Sequence, residues 1–120
     1  MRALFRTAAL AAAFLPLAAE ALEGDAARGA EVYERCAACH SPDADRVGPH
    51  HRGVVGRRAG SVEGFPYSAA VRRSGIVWNE ASLDKWLTDP QALIPGQRMG
   101  FRLGSAQDRA DVIAYLKTLR

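Results

Sequence analysis

The chain has 120 residues, with 16 Lys and Arg against 13 Asp and Glu, a formal charge of +3 at pH 7. That length holds one domain, and so mild a positive excess excludes a nucleic-acid binder that works by charge. Two cysteines are too few for a disulfide-stapled scaffold.

The N-terminus reads as a secretory signal. Arg2 and Arg6 form a positive n-region, Thr7 to Ala19 is apolar and interrupted only by Pro16, and Ala19-Glu20-Ala21 is an A-x-A cleavage signature. The apolar run is shorter than the roughly 20 residues a membrane-spanning helix needs. With no adjacent arginine pair, general secretion is favoured over the twin-arginine route. The expected organisation is a cleaved signal over 1–21 and a single domain over 22–120. Cleavage removes Arg2, Arg6 and Glu20, so the charge of the remaining chain hardly changes.

Residues 25–38 are predicted to form a helix, capped by Asp25, with Ala26, Gly29, Ala30, Tyr33, Cys36 and Ala37 recurring at spacings of three and four. Gly29 in its interior costs about 1 kcal/mol against Ala, which the close approach of another helix would explain. At its end stands Cys36-Ala37-Ala38-Cys39-His40. The pattern C-x-x-C-H is a c-type haem attachment sequence. Two thiols at this spacing can each form a thioether to one haem vinyl group, and the next side chain, His40, can then offer an imidazole nitrogen to the iron. A zinc site would need more ligands, and His50 and His51 are adjacent and lack the usual histidine spacing. A thioredoxin-like pair needs a βαβ context, and no strand run accompanies the motif.

From Ser41 to Gly64 helical periodicity disappears among Pro42, Gly48, Pro49, Gly53, Gly56, Gly60 and Gly64. A loop this long in a small domain needs a functional reason, and lying along the edge of a cofactor is one. A short helix is predicted over Ser68–Arg73. Another runs from an N-cap at Asn79 to Thr88, with Leu83, Trp86 and Leu87 on one face, and Pro90 ends it. Gln91–Gly104 is predicted as loop. The last helix opens at Ser105, with Asp108 three residues on as in a capping box, and carries Val112, Ile113, Leu116 and Leu119 on one face. The expected fold class is all-α: four short helices and two long loops.

Six segments in this order resemble class I c-type cytochromes, the small soluble mono-haem cytochrome c family. They are Gly-Ala-Glu-Val-Tyr-Glu-Arg-Cys-Ala-Ala-Cys-His (29–40), Val-Gly-Pro-His-His-Arg-Gly-Val-Val-Gly-Arg (47–57), Gly-Phe-Pro-Tyr (64–67), Gly-Ile-Val-Trp (75–78), Ile-Pro-Gly-Gln-Arg-Met (94–99) and Arg-Ala-Asp-Val-Ile-Ala-Tyr-Leu-Lys (109–117). The resemblance covers about Gly24 to Leu119. It implies a cytochrome c fold wrapped around one haem c attached through Cys36 and Cys39, with the first and last helices crossing where Gly29 and Tyr33 meet Val112 and Tyr115. It implies iron ligation by His40 and by Met99. A lone methionine is usually core filler, but Met99 follows Pro95-Gly96 in a largely polar loop. The resemblance also makes Pro49 the residue whose carbonyl accepts the second ring N–H of His40. Tyr67, Trp78 and Arg57 align with positions that hydrogen-bond or neutralise a buried haem propionate.

Several residues depart from that pattern. Trp86 stands where many relatives carry a tyrosine, Gln97 replaces a threonine, Arg98 a lysine, and His50 and His51 replace less basic residues. Both histidines are expected to be exposed in the loop. Arg52, Arg57, Arg58, Arg72, Arg73, Lys85, Arg98 and Arg102 crowd the middle of the chain, and a cationic rim would steer docking to acidic redox partners.

The resemblance implies a monomeric periplasmic electron carrier and no enzyme. It would pass single electrons from a respiratory reductase or dehydrogenase to an oxidase or other acceptor, with peripheral contact to membrane complexes. The alternatives are a dedicated cytochrome subunit of a periplasmic oxidoreductase and an open-site haem protein acting on peroxide or binding a gas. Without its haem, a domain of this size has little core, and the apo-protein is expected to fold poorly.

Overall fold

The computed structural model describes residues 10–17 and 22–120. Arg2, Arg6 and the Ala19-Glu20-Ala21 signature, on which the signal reading rests, lie outside the described residues. Five helices follow in chain order: α1 (Ala26–Tyr33), α2 (Ala69–Arg73), α3 (Glu80–Thr88), α4 (Pro90–Leu93) and α5 (Ala106–Thr118). Among the described residues the only β pairing is one isolated antiparallel bridge between Arg58 and Val77, and no helix is long and apolar enough to cross a membrane.

Each helix begins where a short polar side chain can satisfy a free backbone amide. Asp25, Ser68, Asn79, Asp89 and Ser105 accept from the third residue ahead at the starts of α1 to α5. The full capping box closes at α3, where Asn79 and Ser82 exchange bonds. At α5 the carboxylate of Asp108 instead pairs with Arg35, 2.9 Å away, joining the end of the first helical region to the start of the last.

Two boundaries differ from expectation. α1 stops at Tyr33, and the chain continues to His40 in tighter turns, with Cys36 N–H donating to the Tyr33 carbonyl and Cys39 N–H to that of Cys36. Pro90 does end α3, but it also starts α4. A proline fits the first helical position because its missing N–H would have no partner there anyway. The predicted loop over Gln91–Gly104 therefore contains an extra helical turn at its start.

The core forms where α5 lies on α1 and α3. Val32, Tyr33, Leu83, Leu87, Val112, Ile113, Leu116 and Leu119 are buried together, each large aliphatic contributing about 1.5–3 kcal/mol. Gly29 faces the backbone of α5. A Cβ there would collide with the Asp111 carbonyl and crowd Tyr115 Cβ, so the helices close to backbone contact and the cost of an interior glycine is explained. Tyr33 packs on Tyr115 with ring centroids 5.1 Å apart. The expected crossing holds at Tyr115, which both Gly29 and Tyr33 approach, and Gly29 also meets the carbonyl of Asp111.

Asp111 is the one charged core residue among the described residues, 2 % exposed. It accepts from the Asp25 amide at 2.8 Å, Arg28 Nε at 3.0 Å and Gln107 Nε2 at 2.9 Å. The Arg28 guanidinium above all, then the Asp25 amide, holds its carboxyl down to about 2. The long loop after His40 is tied down by backbone bonds, among them Gly53 N–H to the Leu119 carbonyl at 2.7 Å and Trp78 N–H to the Arg57 carbonyl at 2.9 Å.

Candidate haem site

Against the buried face of α5, where Val112 and Leu116 reach it, lies a cavity of about 620 Å³, and the eight candidate site residues line it: Cys36, Cys39, His40, Pro49, Arg57, Tyr67, Trp78 and Met99. Val54, Phe65, Val71, Leu83, Trp86, Leu87, Phe101, Val112 and Leu116 complete a mostly apolar wall. That is the lining expected around a large apolar group with a few polar anchors.

The turn carrying the motif is held from outside the helix. The Arg46 guanidinium donates to the Ala37 carbonyl, and Gly48 N–H donates to the Cys39 carbonyl at 2.9 Å. Both cysteines are free thiols, Cys36 half-buried and Cys39 exposed. Burial pushes the Cys36 thiol up to about 11, against a smaller opposing pull from Arg35.

His40 has a defined tautomer. Its Nδ1 lies 2.8 Å from the Pro49 carbonyl, and a carbonyl can only accept, so Nδ1 carries the proton. Burial lowers the ring's pKa, with the Pro49 bond opposing. The neutral ring then keeps a lone pair on Nε2. Gly48 makes room for this ring, because a Cβ at that position would overlap it.

Met99 is half-buried on its loop. Its amide donates to Gln97 Oε1, the Gln97 amide donates to the Ile94 carbonyl at 3.2 Å, and Arg98 donates to the Pro66 carbonyl at 3.1 Å. The Met99 loop is thereby braced internally and tied to the segment bearing Tyr67. The Tyr67 hydroxyl accepts from Val62 N–H at 3.1 Å. Trp78 is buried, its ring 5.2 Å from that of Trp86. Arg57 donates to the carbonyls of His50 and Arg52, both at 2.7 Å, which uses part of its donor set.

The expectation of two exposed loop histidines is not met: His50 is half-buried, and so is His51. His51 stacks on His40, ring centroids 4.1 Å apart and planes 20° from parallel, and shares a 2.9 Å hydrogen bond with the Tyr33 hydroxyl. Burial first, then the nearby charges of His40, Arg57 and His50, lowers its pKa to about 3. His50 pairs with Asp45 at 2.7 Å and keeps about a third of its side chain in solvent. The cationic cluster is also partly engaged: Arg52 pairs with Asp43 and Arg102 with Asp89. Arg58, Arg73 and Lys85 remain exposed.

The family model for cytochrome c matches residues 26–120. The chain belongs to the cytochrome c family. It is 50% identical over 99 residues to a cytochrome c2 of Rhodomicrobium vannielii, covering 79% of each chain. With a cytochrome c2 of Blastochloris viridis it shares 44% identity over 112 residues, covering 90% of this chain and 85% of the relative. Its fold matches that of cytochrome cH from Methylobacterium extorquens with a TM-score of 0.77 at 42% identity, covering 79% of this chain and 99% of the other. Membership makes it a small electron-carrier cytochrome, not an enzyme, and implies a haem c, whose C-x-x-C-H motif Cys36, Cys39 and His40 fit.

The residues of this cytochrome suit that group. Free thiols and the Nε2 lone pair of His40 meet at one apolar cavity that also holds a thioether, and Gly48 leaves space for the imidazole. Sequence reasoning missed the supports: Arg46 on the motif's carbonyls, Gln97 under Met99 and His51 behind His40. Each acts through a fold-dependent contact between loop residues. Only the two-residue step from Gln97 to Met99 carried a local signal, since a side-chain amide can reach a backbone N–H so near in sequence.

Proposed function

We propose that this cytochrome is a periplasmic single-haem electron carrier. One haem c would be held through thioethers to Cys36 and Cys39, with His40 and Met99 supplying a nitrogen and a sulfur ligand to its iron. The carrying observation is the hydrogen bond from His40 Nδ1 to the Pro49 carbonyl inside the cavity that Cys36, Cys39 and Met99 also line. That bond fixes the tautomer an iron ligand needs and orients the ring. A bound haem would supply a one-electron ferric/ferrous couple, with histidine and thioether ligation raising its potential and closing the iron to small molecules.

The chain's own residues supply burial, orientation and charge. The apolar wall would shield a bound haem from water, Gln97 and Arg98 brace the Met99 loop, and Arg57, Tyr67 and Trp78 carry hydrogen-bond donors that the propionates could use. Donors and acceptors are respiratory proteins with acidic docking faces, bound briefly through contacts that weaken with salt. Export through the signal ends in cleavage after Ala21, so the purified protein begins at Leu22.

The test is the visible spectrum of the purified holoprotein, oxidised and reduced, followed by carbon monoxide added to the reduced form. A weak far-red ferric band with no carbon monoxide shift is expected. A missing band with a rapid shift would overturn Met99 ligation and the closed-site carrier with it.

A further inference from the structure

We infer that His51 is a positioning residue for the iron-side imidazole: it stacks flat against His40, is anchored by Tyr33, and favours the oxidised state of the centre. The inference rests on His40 ligating the iron, as proposed above.

Three contacts fix the arrangement. The Pro49 carbonyl holds His40 by its Nδ1 edge, 2.8 Å away. His51 covers a face of that ring at a centroid distance of 4.1 Å, nearly parallel. Tyr33, buried against α5, holds His51 through a 2.9 Å bond to Nδ1 and an edge-on contact with centroids 5.6 Å apart. The loop backbone adds a fourth constraint, since His51 N–H donates to the Ser41 carbonyl at 3.1 Å. Because Tyr33 belongs to α1, the orientation of His40 is tied to the helical core and not only to its own loop.

The chemical consequence follows from where charge changes. An imidazole bound to ferric iron carries more positive charge than one bound to ferrous iron. The π face of a neutral imidazole attracts positive charge, as the faces of larger aromatic rings do. His51 therefore stabilises the oxidised form more than an aliphatic side chain of similar bulk would.

The test compares holoproteins of wild type, His51→Leu, Tyr33→Phe and, as a control for stability alone, Asp111→Asn. The readouts are the midpoint potential and the ferric electron paramagnetic resonance spectrum, whose anisotropy reports ligand-ring orientation. His51→Leu is expected to shift the ferrous-to-ferric ratio at fixed poise about fivefold toward ferrous, taking the differential attraction as about 1 kcal/mol. Its ferric spectrum should change, and Tyr33→Phe should change it in the same sense but less. Asp111→Asn should melt earlier with potential and spectrum unaltered. If His51→Leu fails to take up haem, Tyr33→Phe decides, since it keeps the ring packing and removes only the anchor. Wild-type potential and spectrum in both variants, or in Tyr33→Phe alone if His51→Leu yields no holoprotein, would overturn the inference while leaving the ligation reading intact. A wild-type holoprotein lacking the far-red ferric band, with no histidine-bound signature, would sink both.

Discussion

The two sides of α5 are stabilised in different ways. Where it meets α1, the contact is complete within the polypeptide. Backbones touch at Gly29, Tyr33 packs on Tyr115, and Asp111 collects bonds from Asp25, Arg28 and Gln107. On the cavity side, Val112 and Leu116 face space bounded by loops over 41–67 and 94–104, held mainly by single backbone bonds and side-chain ties such as Arg98 to Pro66. The helical contact is complete within the polypeptide, whereas the loop side would bury further apolar surface with an apolar group inside the cavity.

The strongest way to break the comparison is to withhold that group. In a Cys36→Ser, Cys39→Ser double variant made without haem attachment, amides of 41–67 and 94–104 should exchange with solvent at nearly unprotected rates. Amides of α1 and α5 should retain measurable protection by hydrogen exchange. Equal loss on both sides would mean the helical contact also depends on the haem.

Next in size is Gly29→Val, which attacks the other side. The new side chain meets the Asp111 carbonyl and Tyr115 Cβ, and backbone cannot give way as a flexible side chain can. A loss of about 3 kcal/mol or more is expected by denaturant unfolding of the holoprotein, with the iron's spectrum unchanged in the fraction that folds.

The smallest effect sharpens the picture through pH. Bonds from Arg28 and the Asp25 amide hold the Asp111 carboxyl down to about 2, against an ordinary value of 3.8. A depressed carboxyl contributes stability above its unfolded pKa and loses it as pH falls toward the folded one. Wild type should therefore melt above Asp111→Asn at pH 7, and the gap should close between about pH 4 and about pH 2. A constant gap across that window would mean that Asp111 contributes shape and not charge.

Much of this molecule was legible in the amino-acid order. Caps at Asp25, Asn79 and Ser105 are local events, readable because a side chain reaches an amide only three residues ahead. The apolar faces of α3 and α5 follow from helical spacing, and C-x-x-C-H announces its chemistry because the two thiols and the imidazole must lie within one turn of chain. Pro90 was ambiguous for a physical reason: the residue that forbids one helix from continuing is well suited to begin another.

What the tertiary structure decided lies in contacts between distant segments. It set Gly29 against the α5 backbone, Arg28 on Asp111 across 83 positions, and eight separate residues around one cavity. It also turned His51 from an apparent loop histidine into a ring stacked on His40. No local pattern encodes such a pairing, because it depends on how the loop after the motif folds back and on a tyrosine from α1 meeting it there.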